Sequence, residues 1–209
     1  MTLPDPPFLL ITDRHHARGD ILDVAELALL AGCRWLSLRE KDLPQADQVA
    51  LLCALVSRAQ WRGASVTLHG NPLLAHEAGA QGVHLPAGGD AGEARRILGR
   101  GALIGLSIHS ADEARMIDKK SIDYVIAGPV FETASKPGYG PALGAEGLAT
   151  IAKSCAVPVI AIGGIEPQTV RTCRSAGAAG VAVMGGVMRA KNPAGAVMQL
   201  LGALIAAEG

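Results

Sequence analysis

Two glycine doublets carry the strongest chemical signal in the sequence. Gly163-Gly164 and Gly185-Gly186 each follow a short apolar run and precede a segment with helical periodicity. Glycine lets backbone N–H groups approach an anion closely where a strand turns toward a helix. We therefore expect these four glycines to bind a phosphate group. The alternative is that they only form two tight turns.

A pair of cations follows another apolar run. Arg39 and Lys41 flank Glu40 in the phrase Leu38-Arg39-Glu40-Lys41. A guanidinium can bind an anion through two parallel hydrogen bonds, and an ammonium adds a point charge. The pair predicts a site for a second anionic group of a substrate. The alternative is a solvated loop with a surface ion pair.

Thr133, Ser135 and Lys136 lie in a segment between residues 128 and 144 that is rich in glycine and proline. This segment is longer than an ordinary connection between a strand and a helix. Its hydroxyl groups and its amine could close over a phosphate and exclude water. We expect a lid that contributes these three side chains to substrate binding.

Three histidines and a serine fall near the ends of successive apolar runs: His69, His84, Ser107 and His109. An imidazole titrates near neutral pH, so each histidine is a candidate general acid or base, and Ser107 is a candidate substrate ligand. For each histidine the alternative is a structural, hydrogen-bonded role. The six histidines show no spacing typical of metal ligands and no Ser–His–Asp order.

The elements that must position these residues alternate regularly along the chain. Short runs rich in Val and Ile predict eight strands at 8–12, 35–39, 65–68, 82–85, 103–107, 124–127, 159–162 and 180–184. Helical periodicity predicts helices that include 21–30, 45–60, 91–98, 111–118, 145–153, 167–175 and 193–206. Continuously apolar strands indicate a sheet covered on both faces, and strand–helix alternation indicates parallel pairing.

Eight such units favour an α/β fold, a compact (β/α)8 TIM barrel that spans residues 1–209 as one domain. The alternative is an open doubly wound sheet, but no Gly-x-Gly-x-x-Gly follows the first strand, where a dinucleotide-binding sheet would need it. In a barrel the candidate residues would meet at the carboxyl ends of the strands, where the loops after strands seven and eight commonly bind phosphate.

Composition excludes several classes of protein. The chain has 209 residues, a formal net charge of zero, 49% hydrophobic residues and 3% aromatic residues. A neutral chain with few aromatic rings is not typical of nucleic-acid binders, and its apolar content excludes disorder. No apolar run is long enough to span a membrane, and no signal peptide is visible. Four scattered cysteines indicate no zinc site or disulfide framework, so we expect a cytoplasmic protein.

Several phrases, in this order, resemble the thiamine phosphate synthase/TenI family. They are Leu10-Ile11-Thr12-Asp13, Leu38-Arg39-Glu40-Lys41, Gly82-Val83-His84-Leu85, Gly105-Leu106-Ser107-Ile108-His109-Ser110, Asp123-Tyr124-Val125, Gly128-Pro129-Val130-Phe131-Glu132-Thr133 and Ala161-Ile162-Gly163-Gly164-Ile165. The resemblance covers nearly the whole chain. It implies a (β/α)8 barrel, a thiazole phosphate ligand and a role in thiamine biosynthesis.

The family has two activities. The synthase joins a pyrimidine pyrophosphate to thiazole phosphate with Mg²⁺, and its pattern has one Asp after strand three and another in a turn after strand four. Here the first position reads His69-Gly70-Asn71, and Asp90 stands one residue late in Pro86-Ala87-Gly88-Gly89-Asp90. The resemblance thus implies no metal ligand except Asp90, and Mg²⁺ only if the protein is a synthase.

The turn after strand four and the phrase Val130-Phe131-Glu132-Thr133 resemble the TenI-type thiazole tautomerases, which use no metal. The family's proposed catalytic His is replaced by Pro129, so the proton would move through His69, His84 or His109. A Ser common in the strand-eight loop is replaced by Gly185.

We expect the tautomerase first, with no cofactor. The alternatives are the synthase and a non-catalytic regulatory binder of thiazole phosphate. The expected partner is a phosphorylated thiazole, without nucleic acid or membrane, and a homo-oligomer is compatible with the sequence.

Overall fold

The computed structural model describes residues 2–133 and 141–207. Its eight strands are β1 (Phe8–Ile11), β2 (Trp35–Leu38), β3 (Ser65–His69), β4 (Gly82–Leu85), β5 (Leu103–Ile108), β6 (Tyr124–Ala127), β7 (Val159–Ile162) and β8 (Gly180–Val183). Each strand pairs in parallel with the next, and β1 also pairs with β8, so the sheet closes into a barrel. The predicted TIM barrel is confirmed, and the open doubly wound sheet is excluded.

Helices surround the barrel. Those described are α1 (Ile21–Leu30), α2 (Gln45–Gln60), α3 (Pro72–Glu77), α4 (Ala91–Leu98), α5 (Ala111–Arg115), α6 (Gly144–Ser154), α7 (Pro167–Ser175), α8 (Gly185–Met188) and α9 (Pro193–Ala206). No helix among residues 2–133 and 141–207 is long and apolar enough to cross a membrane.

Helix α5 ends at Arg115, earlier than the periodicity predicts. The N–H of Met116 donates to the carbonyl of Glu113 and that of Ile117 to Ala114, which are three-residue bonds that tighten and end the last turn. Asp118 then accepts from the N–H of Lys120, so its side chain begins a turn instead of continuing the helix.

Side chains from non-neighbouring strands fill the barrel interior. The ring of Trp35 on β2 packs edge-on against Tyr124 on β6, with centroids 4.7 Å apart, and Tyr124 stacks on His84 of β4 at 5.6 Å. A Cβ at Gly105 would lie 2.1 Å from the Tyr124 ring, so this glycine leaves the space that the ring occupies. The opposite faces of the strands pack against the helices in a second, larger apolar cluster.

Candidate active site

A cavity of about 540 Å³ opens at the carboxyl ends of the strands. Its lining includes every predicted substrate-binding, phosphate-binding and acid–base residue that the structure describes: Arg39, Lys41, His69, His84, Ser107, His109, Thr133, Gly163, Gly164, Gly185 and Gly186. Ser135 and Lys136 lie outside the described residues. Residues from seven sites along the chain therefore meet at the end of the barrel where a (β/α)8 enzyme carries its chemistry.

The carboxylate that separates the two cations in the sequence, that of Glu40, is buried. Glu40 is only 2% exposed, and it accepts hydrogen bonds from the Thr12 hydroxyl at 2.8 Å and from the Arg14 N–H at 3.1 and 3.2 Å. The Thr12 hydroxyl oxygen also accepts from the Arg39 N–H at 2.9 Å. Glu40 thus faces the loop after β1, while Arg39 and Lys41 line the cavity. The expected alternative, a solvated surface pair, does not describe this carboxylate.

A second carboxylate, that of Asp42, also joins the loop after β2 to the loop after β1. The Arg14 guanidinium donates two hydrogen bonds of 2.6 Å to Asp42, which lowers the pKa of that carboxyl well below its usual range. The pKa of Lys41 is lowered by partial desolvation and by the charge of Arg39. Two cations held this close repel each other, so an anion between them would relieve that repulsion.

His84 is fully buried and neutral. Its Nε2 lies 2.9 Å from the Ser107 hydroxyl oxygen, and its Nδ1 has no hydrogen-bond partner among the described residues. Burial, with a smaller contribution from Lys41, lowers the pKa of His84 to about 3. A group with this pKa is a poor proton donor near neutral pH, so the structure favours a positioning role for His84 over general acid catalysis.

The other two histidines differ from His84. The His69 ring is half-buried and lies edge-on to His84 with centroids 4.7 Å apart. His109 is exposed, and its Nδ1 is 2.8 Å from the carbonyl oxygen of Gly128. A carbonyl only accepts, so Nδ1 carries the proton and the neutral imidazole keeps its lone pair on Nε2. His109 is therefore the candidate acid–base group whose tautomer the fold determines.

The glycines after β7 have a packing role besides lining the cavity. Gly163 and Gly164 have φ values of 97° and 63°, which favour glycine. A Cβ at Gly163 would lie 2.6 Å from the Cβ of Pro129, and one at Gly164 would lie 2.6 Å from the carbonyl oxygen of Glu132. These glycines therefore let the segment after β6 lie directly on the strand-seven loop.

Hydrogen bonds complete this contact. The N–H of Val130 donates to the Ile162 carbonyl at 2.8 Å. The N–H groups of Leu143 and Gly144 donate to the carbonyls of Pro129 and Val130, each at 2.9 Å. The two ends of the long loop thus bind each other, and we call this pairing of residues 129–130 with 143–144 the neck.

Three charged residues of the cavity lining were not predicted: Glu132, Glu166 and Arg189. Glu166 precedes α7 and accepts from the Gln168 side-chain amide. Arg189 follows the short helix α8, four residues after Gly185. Side chains at i and i+4 share a helix face, but this spacing alone does not place Arg189 in the cavity, because a four-residue helix leaves no pattern in the sequence.

Comparison with known proteins agrees with this arrangement. A family model described as thiamine monophosphate synthase matches residues 8–187. The chain belongs to this family. It is 40% identical over 195 residues to a putative thiamine-phosphate synthase from Geobacter sulfurreducens, with 92% of each chain covered. It is 38% identical over 181 residues to a thiamine-phosphate synthase from Methanoculleus marisnigri, with 86% of each covered.

A solved structure of a thiamine phosphate pyrophosphorylase from Pyrococcus furiosus superimposes with a TM-score of 0.86 and 28% identity, covering 97% of this chain and 96% of that one. The family resemblance expected from the sequence is confirmed. The names of these relatives favour the synthase, which was the alternative, and give no support to the tautomerase that we expected first.

The thiamine monophosphate synthase family implies carboxylates for Mg²⁺ after β3 and β4, but no carboxylate that follows these two strands lines the cavity. Gly70 has no side chain, and Asn71 accepts from the N–H of Leu73 as the N-cap of α3. Asp90 is not part of the cavity lining, and it accepts from the N–H of Glu93 as the N-cap of α4. The structure thus places Asp90 as a helix cap outside the cavity lining, and its role as a metal ligand stays a prediction.

The side chains of β3 and β4 that line the cavity are His69 and His84, whose donor atoms are imidazole nitrogens, whereas Mg²⁺ prefers oxygen. In the described part of the chain no three His, Cys, Asp or Glu side chains lie close enough to hold a metal ion. The residues present do not fit the metal site that the family implies.

Proposed function

We propose that this protein is a thiamine-phosphate synthase, which joins hydroxymethylpyrimidine pyrophosphate to thiazole phosphate and releases pyrophosphate. The observation that carries the proposal is one continuous cavity with two places suited to anions. Arg39 and Lys41 lie at its strand-two side, and the glycine doublets lie at its strand-seven and strand-eight side. A reaction between two small phosphorylated molecules needs both places within one enclosure, and the synthase names of the relatives support that reaction.

The glycine side suits the thiazole phosphate. Gly163, Gly164, Gly185 and Gly186 line this side of the cavity, and backbone N–H groups at the turn from a strand to a helix can bind a phosphate. Thr133 lies on the same lining and can add a hydroxyl donor. A phosphate held here anchors the thiazole ring, with its nitrogen facing the interior of the cavity.

The cationic side suits the pyrophosphate. In the reaction the C–O bond between the pyrimidine methylene and pyrophosphate breaks, and the electron pair leaves with oxygen. The thiazole nitrogen then forms the new C–N bond with its lone pair. Arg39 and Lys41 stabilise the charge that develops on the leaving oxygen. The backbone N–H of Arg39 is held before the substrate arrives by its hydrogen bond to the Thr12 hydroxyl, which in turn donates to Glu40. Ser135 and Lys136 remain proposed ligands for the same anions.

This mechanism has no step through a metal ion, because the donor atoms of β3 and β4 do not fit Mg²⁺. The neutral pair of His84 and Ser107 lies between the two anion sites along the barrel, on β4 and β5. Its role in the proposal is to orient the pyrimidine by hydrogen bonds and to exclude water. No proton transfer by a histidine is required for the C–N bond to form.

The test incubates the purified protein with hydroxymethylpyrimidine pyrophosphate and thiazole phosphate, and measures thiamine phosphate by chromatography. Parallel reactions contain Mg²⁺ or a chelator. We expect product with both substrates together and none with either alone. An Arg39→Ala variant should raise the KM for the pyrophosphate substrate and leave the KM for thiazole phosphate unchanged. An Arg96→Ala variant, which removes an exposed guanidinium outside the cavity, is the matched control.

Absence of thiamine phosphate in Mg²⁺ at high protein concentration would overturn the proposal. If the protein instead aromatises a carboxylated thiazole phosphate in chelator, it is a tautomerase. If it does neither but its melting temperature rises with thiazole phosphate, it is a binder.

A further inference from the structure

The glycine at position 185 makes space for a neighbouring side chain and is not required by its backbone conformation. Unlike Gly163 and Gly164, it has no positive φ. A Cβ at Gly185 would lie 2.4 Å from both Nη1 and Nη2 of Arg189 and 2.5 Å from its Cζ. The guanidinium of Arg189 therefore occupies the space directly beside Gly185, where any larger residue would place its side chain.

The backbone of Arg189 is fixed from both sides. Its N–H donates to the carbonyl of Gly185 at 3.0 Å, and its carbonyl accepts from the Nε of Arg18 at 2.8 Å. Long side chains at a helix end point back toward the start of the helix, which here brings Arg189 over the strand-eight loop. The position of the guanidinium thus follows from the end of α8 and from the missing side chain at 185.

The guanidinium supplies a charge that this side of the cavity otherwise lacks. Among the described residues of the lining, the lysines and arginines are Arg39, Lys41 and Arg189, and only Arg189 comes from the strand-eight loop. The glycine doublets offer only neutral N–H donors. The carboxylate Glu166 also lies on this side, so without Arg189 the phosphate would face a negative charge with no cation from β8 or its loop.

We propose that Arg189 binds the phosphate ester held by the two glycine loops, and that Gly185 is small so that this guanidinium can reach it. The hydroxyl of the Ser that resembling proteins carry at this position would be replaced by a charged donor pair. A guanidinium can bind two phosphate oxygens at once and forms stronger hydrogen bonds than a hydroxyl does. The identity of the ester as thiazole phosphate rests on the proposed function.

The experiment measures dissociation constants by isothermal titration calorimetry for thiazole phosphate and for inorganic phosphate. Arg189→Ala should weaken both by about tenfold or more, as expected for a lost charged hydrogen bond. Arg189→Lys should recover part of the affinity, since the charge remains and the two-bond geometry is lost. Arg96→Ala should leave both constants unchanged. Arg189→Gln, which removes the charge and shortens the side chain but keeps a polar group, replaces the alanine variant if that variant does not fold.

Gly185→Ser tests the coupling between the two positions. A Cβ at 185 displaces the guanidinium, so Arg189→Ala should cost much less affinity in the Gly185→Ser background than in the wild type. Equal losses in both backgrounds would overturn the role of Gly185. Unchanged affinity in Arg189→Ala and Arg189→Gln would overturn the role of Arg189.

These results are separable from the proposed function. If Arg189 variants weaken phosphate binding but the wild type makes no thiamine phosphate, this inference stands and the synthase proposal fails. If the wild type makes thiamine phosphate and the variants bind phosphate normally, the synthase stands and this inference fails. No binding of either phosphate by the wild type overturns the inference.

Discussion

His84 should make the stability of the protein depend on pH between neutral and mildly acidic conditions. The imidazole is fully buried between Tyr124 and His69, and the charge of Lys41, which acts on it, is also positive. Protonation would bury an uncompensated cation, which is why its pKa lies at about 3 in the folded protein. In the unfolded chain the same side chain titrates at the ordinary value of 6.5.

The direction of the effect follows from these two values. Above pH 6.5 the imidazole is neutral in both states, and the full stability of the fold is present. Between pH 6.5 and 3 the unfolded chain binds a proton that the fold excludes, so the free energy of unfolding falls as the pH falls. For one such group the loss between pH 7 and pH 5 is about 2 kcal/mol, a slope that approaches 1.4 kcal/mol per pH unit.

The assay is urea denaturation followed by circular dichroism at pH 7, 6 and 5. This range lies above the pH at which most carboxylates titrate, so histidine dominates the slope. His84→Gln replaces the imidazole with an amide that does not titrate, and its slope should be shallower than that of the wild type by about 2 kcal/mol over the range. His76→Gln removes an exposed imidazole and is the matched control. A slope in His84→Gln equal to that of the wild type would refute the reasoning.

Two further predictions concern the barrel interior and the cationic side of the cavity. Gly105→Ala places a methyl group inside the ring of Tyr124 and should lower the free energy of unfolding by about 1–3 kcal/mol in urea denaturation. Gly101→Ala, where a Cβ meets nothing within 4 Å, should change it by less than about 0.5 kcal/mol, and equal losses in the two variants would contradict the packing argument. Glu40→Gln weakens the hydrogen bonds from Arg14 and should raise the KM for the pyrophosphate substrate several-fold without changing that for thiazole phosphate. A parallel rise in both constants would show that Glu40 acts on the whole fold.

Most of the fold could be predicted from the sequence because parallel barrels repeat one simple pattern. The strand limits differ by at most one residue at the ends of β1, β2, β3, β5 and β8. Those end residues are where regular pairing stops. Thr12, for example, still donates its backbone N–H to Ser37 of β2, while its hydroxyl donates to Glu40. Helix α8 was missed because a four-residue helix has no apolar periodicity to detect.

The sequence predicted the place of residues that follow strand ends, since the glycine doublets and the cationic pair line the cavity, while their binding roles stay predictions. The site was not predicted where a side chain's role depends on a distant partner. Asp90 serves as an N-cap, which its position before a helix already allowed. The neutral state of His84 and the location of Arg189 required the packed barrel, because burial and the space beside Gly185 are tertiary properties.

The neck makes the closure of the barrel at this point independent of the sequence at the middle of the long loop. Residues 129–130 bind 143–144 through two backbone hydrogen bonds, and Val130 also bonds the end of β7. The residues that join Thr133 to Pro141 therefore start and finish at a junction whose described hydrogen bonds come from the residues on either side of them. We therefore expect that the sequence of this stretch can be exchanged for another of different length without loss of the barrel fold.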